Sequence, residues 1–322
     1  MGKQFRILCL DGGGIRGLIT AIWLEALEQR LGGTLRHHFD LIAGTSTGAI
    51  LACAVSAGME SKQIIDLYQR RGGEIFPGVG NRLWNRAKRT LGQGASAPKY
   101  DSRPLESNLR AVFGDLSFGD LHVVPTLVSA YNTLSREALV FKNSKTEFRS
   151  LPVWELCMAS AAAPTYFPAH VMRVQNVKMP LIDGGVFANN PTACAIAEAV
   201  RVQASLPEGD RAGLDDFVVA SFGTGSSTRP IGISDALEWG ALEWAIPIID
   251  VLFDGAADSV DYIASQLVAP DHYFRLQVPL HEAFDDMDDA STTNLNALAN
   301  SAMGYLRTGG GDRQLDALAK LL

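Results

Sequence analysis

The chain has 322 residues, 47% of them apolar, enough to bury a large core in one sizeable α/β domain or two smaller ones. Its net charge of −7 excludes a general nucleic-acid binder, whose footprint is basic. Cys9, Cys53, Cys157 and Cys194 lie far apart in apolar surroundings without a C-x-x-C and read as reduced core residues rather than a disulfide or zinc framework, and no uncharged apolar run reaches transmembrane length.

Met1–Gln4 lead without a signal-like segment into the apolar run Phe5–Leu10. The expectation is a soluble, cytoplasmic protein. That run ends in Asp11-Gly12-Gly13-Gly14-Ile15-Arg16-Gly17, and Leu18–Leu31 beyond it has helical spacing closed by Gly32-Gly33. A second unit follows the same plan. Phe39–Ala43 runs into Gly44-Thr45-Ser46-Thr47-Gly48, then into the all-apolar helix Ala49–Ala57, stopped by Gly58. Ser61–Arg71 reads as an amphipathic helix capped by Ser61.

The stretch 72–99 differs from its surroundings, being rich in glycine and locally basic. Within it Arg82, Arg86, Lys88 and Arg89 stand beside Leu83, Trp84 and Leu91, the one cationic patch of an acidic chain. It reads either as a solvated loop or as a surface that docks on anionic lipid headgroups through Arg82, Trp84, Arg86 and Arg89.

Beyond it, Ser102–Phe113 is a helix with an early proline. Val123–Tyr131 and Ala138–Lys142 read as strands, and Val153–Ala163 as a small-residue helix ended by Pro164. Val171–Val174 and Met179–Ile182 form a strand pair that runs into Asp183-Gly184-Gly185. Ala193–Ala204 is a helix, and Phe217–Phe222 a strand closed by Gly223-Thr224-Gly225. Ser234–Leu267 is helical with breaks expected at Pro247 and Gly255. His272–Val278 is a late strand, Asp285–Asp289 a solvated acidic loop, and Thr293–Leu306 a terminal helix. Such alternation predicts an α/β fold with a mainly parallel sheet and helices on both faces.

The chemistry sits in the two glycine-bounded turns. Gly44-Thr45-Ser46-Thr47-Gly48 fits G-x-S-x-G, the strand–turn–helix elbow that lifts a serine hydroxyl above the sheet edge. The helix after Ser46 aims its dipole and free N–H groups where negative charge develops. The first turn offers a run of unobstructed N–H groups, which suits an oxyanion hole. Gly12-x-Gly14-x-x-Gly17 also satisfies a dinucleotide fingerprint, but the acidic residue expected at the end of the next strand is replaced by the serine turn. No Gly-Lys-Ser/Thr follows, which excludes a P-loop.

A nucleophilic serine needs a base. His272 and His281 come late enough for a triad, yet neither sits on a glycine-shaped turn. Asp183 ends an apolar run, and the two glycines after it let the backbone turn sharply. Partial burial would raise its pKa toward neutrality, so this carboxylate could serve alone, though Asp-Gly is also an ordinary turn former.

Four motifs in order then carry a resemblance. They are Asp11–Gly17, Gly44–Gly48, Ala159-Ser-Ala-Ala-Ala-Pro-Thr-Tyr-Phe-Pro168 and Asp183-Gly-Gly-Val-Phe-Ala-Asn-Asn-Pro191, with Ser221-Phe-Gly-Thr-Gly225 beyond them. The chain resembles the bacterial patatin-like phospholipases over 6–225, and the resemblance implies a three-layer α/β/α sandwich. It implies Ser46 as nucleophile, Asp183 as its partner without histidine, and an oxyanion hole at Gly12, Gly13 and Gly14 with Arg16 beside it. It implies hydrolysis of fatty-acyl esters of phospholipids and other lipids, with no metal or other cofactor. The acyl chain is expected near Phe167, Phe187 and the Trp239/Trp244 helix. The domain reading is one unit over 1–322, with 226–322 packed on the motif-bearing part. The partners expected are an acyl lipid and the inner membrane face, with no nucleic acid polymer. An alternative, from resemblance alone, is the same hydrolase switched on by a cyclic dinucleotide in defence against phage.

Overall fold

A computed structural model describes residues 4–76, 98–245, 247–281, 283 and 286–322. The cationic stretch Arg82–Leu91 lies outside the described residues. Eight strands form one sheet: β1 (Phe5–Leu10), β2 (Leu41–Thr45), β3 (Thr126–Asn132), β4 (Glu137–Lys142), β5 (His170–Val174), β6 (Val177–Asp183), β7 (Phe217–Phe222) and β8 (Tyr273–Leu276). The centre is parallel in the order β3-β2-β1-β7-β8, and β4, β6 and β5 add an antiparallel margin at β3.

The helices among the described residues are α1 (Gly17–Leu31), α2 (Thr47–Ala57), α3 (Ser61–Ile75), α4 (Arg103–Phe113), α5 (Val153–Ser160), α6 (Gly185–Ala188) and α7 (Thr192–Ala204). They continue with α8 (Ile233–Glu238), α9 (Ala241–Trp244), α10 (Pro247–Leu267), α11 (Thr292–Thr308) and α12 (Gly311–Ala319). Alternation along each strand divides them into two layers. On β1, Leu8 and Leu10 join a core with Leu24 of α1 and Leu51 of α2. Ile7 and Cys9, one residue out of phase, join the opposite core with Ile196 of α7 and Ala264 of α10. The result is the three-layer α/β/α arrangement.

One topological detail positions the site. β4 runs along one edge of β3 over its pairing from Leu127 to Asn132. Both β2 and β6 must therefore share the other edge. β2 arrives parallel and stops at Thr45 opposite Ser129, whereas β6 arrives antiparallel and stops at Asp183 opposite Ala130. The two strands meet end to end on consecutive residues of β3.

Several expected boundaries move for physical reasons. β3 starts at Thr126 rather than Val123, whose side chain is 42% exposed. The cap of α3 is Glu60 in a capping box with Gln63, because the Ser61 N–H donates to Glu28 Oε2 at 2.8 Å. The expected break falls at Pro247, which opens α10, but Gly255 passes unbroken inside that helix. All four cysteines are free.

The C-terminal third joins the sheet through β8. Its Arg275 donates to Asp11 Oδ2 at 2.6 Å and to Ser221 Oγ at 3.0 Å. Asp11 is 1% exposed, and burial pushes its carboxyl up to about 6 although Arg275 opposes the shift. Removing one partner of such a pair strands a buried charge, so Arg275→Met should cost about 3–5 kcal/mol. The double change Arg275→Met, Asp11→Asn should cost less, and urea unfolding of the three chains checks the order.

Candidate active site

The junction of β2 and β6 places Ser46 against Asp183. Ser46 stands between β2 and α2 with φ 56° and ψ −123°, a left-handed backbone that a non-glycine residue adopts at a cost of about 1–3 kcal/mol. The strain is held by close packing. A Cβ on Gly48 would lie 2.0 Å from the Leu10 carbonyl oxygen, so only glycine lets α2 descend onto the end of β1. The Ser46 N–H donates to Ser160 Oγ at 2.8 Å, and Ser160 Oγ donates to the Ser129 carbonyl at 2.6 Å. Next to it, Thr45 Oγ1 donates to the Ala188 carbonyl at 2.6 Å and accepts from Ser129 Oγ at 2.5 Å.

Ser46 Oγ donates to Asp183 Oδ2 at 2.6 Å. The other carboxylate oxygen accepts the Gly185 N–H at 2.7 Å. Asp183 is wholly buried, and desolvation pushes its carboxyl up to about 7 against the opposing bonds from Ser46 and Gly185. Among the described residues no histidine bonds either side chain. His272 Nδ1 lies 3.0 Å from the Asp215 carbonyl oxygen, away from Ser46, and His281 is exposed.

The glycine loop crosses above Ser46. Its first amide, Gly12 N–H, is spent on the Asn189 carbonyl at 2.9 Å, and Gly12 O accepts from Thr224 Oγ1 at 2.8 Å. Ile15 N–H donates to the Met287 carbonyl at 2.9 Å. Gly14 has φ +58°, and a Cβ there would meet that same Met287 oxygen at 2.2 Å. The amides of Gly13, Gly14 and Thr47 have no hydrogen-bond partner among the described residues. Of the three glycines expected to supply donors, Gly12 thus anchors the loop while Gly13 and Gly14 keep theirs free. Arg16 is buried at the start of α1, beside the loop.

An apolar cleft with about 790 Å³ of empty space reaches Ser46 and Asp183. Its walls are Ile50 of α2, Leu67 and Ile75 of α3, Leu105 and Leu109 of α4, and Tyr166, Phe167 and Phe253. Phe167 is where the sequence put it. Phe187 does not line the cleft, and Trp239 lines a neighbouring cavity instead. The acidic loop also departs from expectation. Asp288 is 2% exposed, pairs with Lys99 and accepts from Tyr100 Oη at 2.5 Å, so it is a buried clasp and not a solvated turn. Among the described residues no three His, Cys, Asp or Glu side chains could hold a metal ion, and no helix is long and apolar enough to cross a membrane.

Residues 8–196 match the family described as patatin-like phospholipase. The chain belongs to the patatin-like phospholipases. Patatin-like protein 2 of Oryza sativa subsp. indica is 30% identical, covering 92% of this chain and 82% of that protein. Patatin-like protein 2 of Arabidopsis thaliana is 31% identical, covering 95% and 84%. Another relative, 27% identical, is a probable inactive patatin of Solanum tuberosum. Among solved structures, human GIVD cytosolic phospholipase A2 shares the fold with a TM-score of 0.50 at 11% identity, over 99% of this chain and 61% of that one.

Within this patatin-like fold, sequence reading missed the groups that act through their backbone or through one hydroxyl. Asn189 and Met287 hold the glycine loop by carbonyl oxygens, which leave no trace in a pattern of side chains. Ser160 stands inside a recognised motif, yet its bond to the Ser46 amide depends on α5 lying across β3. Ser160→Ala leaves that buried N–H without its acceptor, and should destabilise the chain by about 1–3 kcal/mol in denaturant melts.

Proposed function

We propose that the chain, a lipid acyl hydrolase by family, cleaves fatty-acyl esters of phospholipids by two-step acyl transfer from a Ser46–Asp183 dyad. One observation carries the reading: Ser46 Oγ donates at 2.6 Å to a buried carboxylate whose pKa is about 7, at the end of an apolar cleft. The carboxylate takes the Ser46 proton as Oγ bonds to the ester carbonyl carbon. The resulting oxyanion faces the free amides of Gly13, Gly14 and Thr47, and each donor of this kind contributes on the order of 3 kcal/mol in the transition state. The intermediate collapses, its bond to the leaving alcohol breaks, and Asp183 returns the proton to that alcohol. Water then repeats the sequence on the acyl-enzyme, giving its proton to Asp183, and Ser46 recovers a proton as the fatty acid departs.

The cleft supports an acyl chain as the occupant on the acid side, since its walls are almost wholly aliphatic or aromatic. Arg82, Trp84, Arg86 and Arg89 supply, on this reading, attraction to anionic bilayers. Such attraction is screened over about 8–10 Å near physiological ionic strength. Raising salt should therefore slow hydrolysis of anionic vesicles more than hydrolysis of a soluble short-chain ester.

The decisive experiment incubates the purified protein with mixed phospholipids and identifies released fatty acids by mass spectrometry. Ser46→Ala and Asp183→Ala should each abolish release, and the double change should cost little more, because the two act as one unit. Turnover near that of the wild type in either single variant would sink the dyad.

The base works ionised, so kcat/KM should fall as pH drops through about 7. Stability runs the other way. The folded pKa lies above the ordinary carboxylate value, so the folded state favours the proton and loses stability as pH rises from about 4 to about 7. Asp183→Asn should therefore raise the melting temperature at pH 8 and change it little at pH 4.

A further inference from the structure

The acyl-transfer steps leave two hydroxyls beside the dyad without a task. Thr47 Oγ1, in the first turn of α2, and Tyr68 Oη, in the middle of α3, are hydrogen-bonded to each other. Both residues line the acyl cleft with Ser46 and Asp183, and both are buried. Two hydroxyls carry two protons, and the bond between them uses one. The other proton has no acceptor among the described residues. In a cleft so nearly apolar, a donor left over in this way stays unsatisfied until a ligand brings it an oxygen.

Acidity decides which proton is spare. A phenol is a stronger acid than an aliphatic alcohol, so Tyr68 donates within the pair and the Thr47 O–H is left. Burial pushes the Tyr68 phenol up, with the bond to Thr47 opposing, so it stays protonated and keeps donating. Accepting that bond polarises the Thr47 hydroxyl and makes it the better donor in turn.

Position decides where the spare proton goes. Thr47 follows the nucleophile directly, and its hydroxyl stands on the same residue as the unbonded N–H that faces the oxyanion in the proposed mechanism. The far end of the glycine loop closes in from the other side. A Cβ on Gly17 would meet Thr47 Oγ1 and Tyr68 Oη, each at 2.6 Å. Glycine at 17 thus leaves the space that the pair occupies between the start of α1 and the start of α2.

We propose that Thr47 is a further catalytic residue, its hydroxyl donating to the developing oxyanion beside its own amide, and that Tyr68 is the positioning residue that orients it. No proton leaves either group. The Thr47 hydrogen bond tightens as charge grows on the carbonyl oxygen and relaxes when the carbonyl reforms. The inference rests on the reading of Ser46 as the nucleophile, since that puts the oxyanion at the head of α2.

Steady-state hydrolysis of p-nitrophenyl butyrate tests it, with melting curves as the check on folding. Thr47→Val, similar in shape but without the hydroxyl, should lower kcat about a hundredfold and leave KM within about threefold, because the bond strengthens only in the transition state. Thr47→Ser restores the hydroxyl and should recover most of that loss. Tyr68→Phe should lower kcat about tenfold, and adding it to Thr47→Val should cost nothing more, because Tyr68 acts only through that hydroxyl. Inhibition by a trifluoromethyl ketone, which forms an oxyanion on Ser46 without turning over, should weaken by the same factor as kcat in each variant. A Thr47→Val protein that melts like the wild type and keeps its kcat, a loss confined to KM, or a serine variant no better than the valine one would overturn the proposal. Where Thr47→Val melts low, Tyr68→Phe decides instead, and unchanged kcat and ketone inhibition there would overturn it equally. The two readings fail separately. Turnover in Ser46→Ala would remove the dyad and with it the oxyanion that the hydroxyl serves. An inactive Ser46→Ala beside an unimpaired Thr47→Val would keep the dyad and remove the role of the hydroxyl.

Discussion

The hydrogen bond between Ser46 and Asp183 spans 137 residues of sequence, and it exists because two strands run at each other along one edge of β3. Neither residue is reactive by its own chemistry at neutral pH. A serine hydroxyl is a weak nucleophile, and an ordinary carboxylate is too weak a base to take its proton. Burial changes the second of these. Removing water from around Asp183 raises its pKa toward neutrality, which in the proposed mechanism lets one carboxylate do the work for which other serine hydrolases use a histidine backed by an acid. The same dryness would draw Asp183 out of position were it not pinned by the Gly185 amide on one oxygen and Ser46 on the other.

Holding a charge-developing centre in that dry corner demands rigid surroundings. The strained Ser46 backbone is locked from below by Gly48 against Leu10 and from behind by the chain of bonds through Ser160 to Ser129. The glycine loop above is fastened at intervals by Asn189, Thr224 and Met287, which leaves the unbonded amides of Gly13 and Gly14 between the fastenings. Preorganisation of this kind costs stability, and the buried Asp11–Arg275 pair at the loop's root belongs to the same expense.

Much of this was legible in the sequence because it is written in local pattern. Phe217–Phe222 is a strand in both readings, since a run buried on both faces leaves little ambiguity. The elbow and the Asp-Gly-Gly turn advertise themselves through glycines that sterics require. What stayed hidden depends on tertiary approach. The carbonyl of Met287 has no signature, and a run of aspartates has the pattern of a solvated loop although Lys99 and Tyr100 close over Asp288. Propensity marks Gly255 as a break, but a cost of about 1 kcal/mol is small beside the packing of a long helix.

The fastening of the glycine loop by Met287 and of its root by Arg275 has a consequence in time. Ser46, Asp183 and the whole loop are synthesised before either residue. Between the synthesis of Asp183 and that of Arg275 the nascent chain therefore carries Ser46, Asp183 and the loop but lacks the bonds that hold the loop in place. The loop can be fastened only once the segments bearing Arg275 and Met287 have been made.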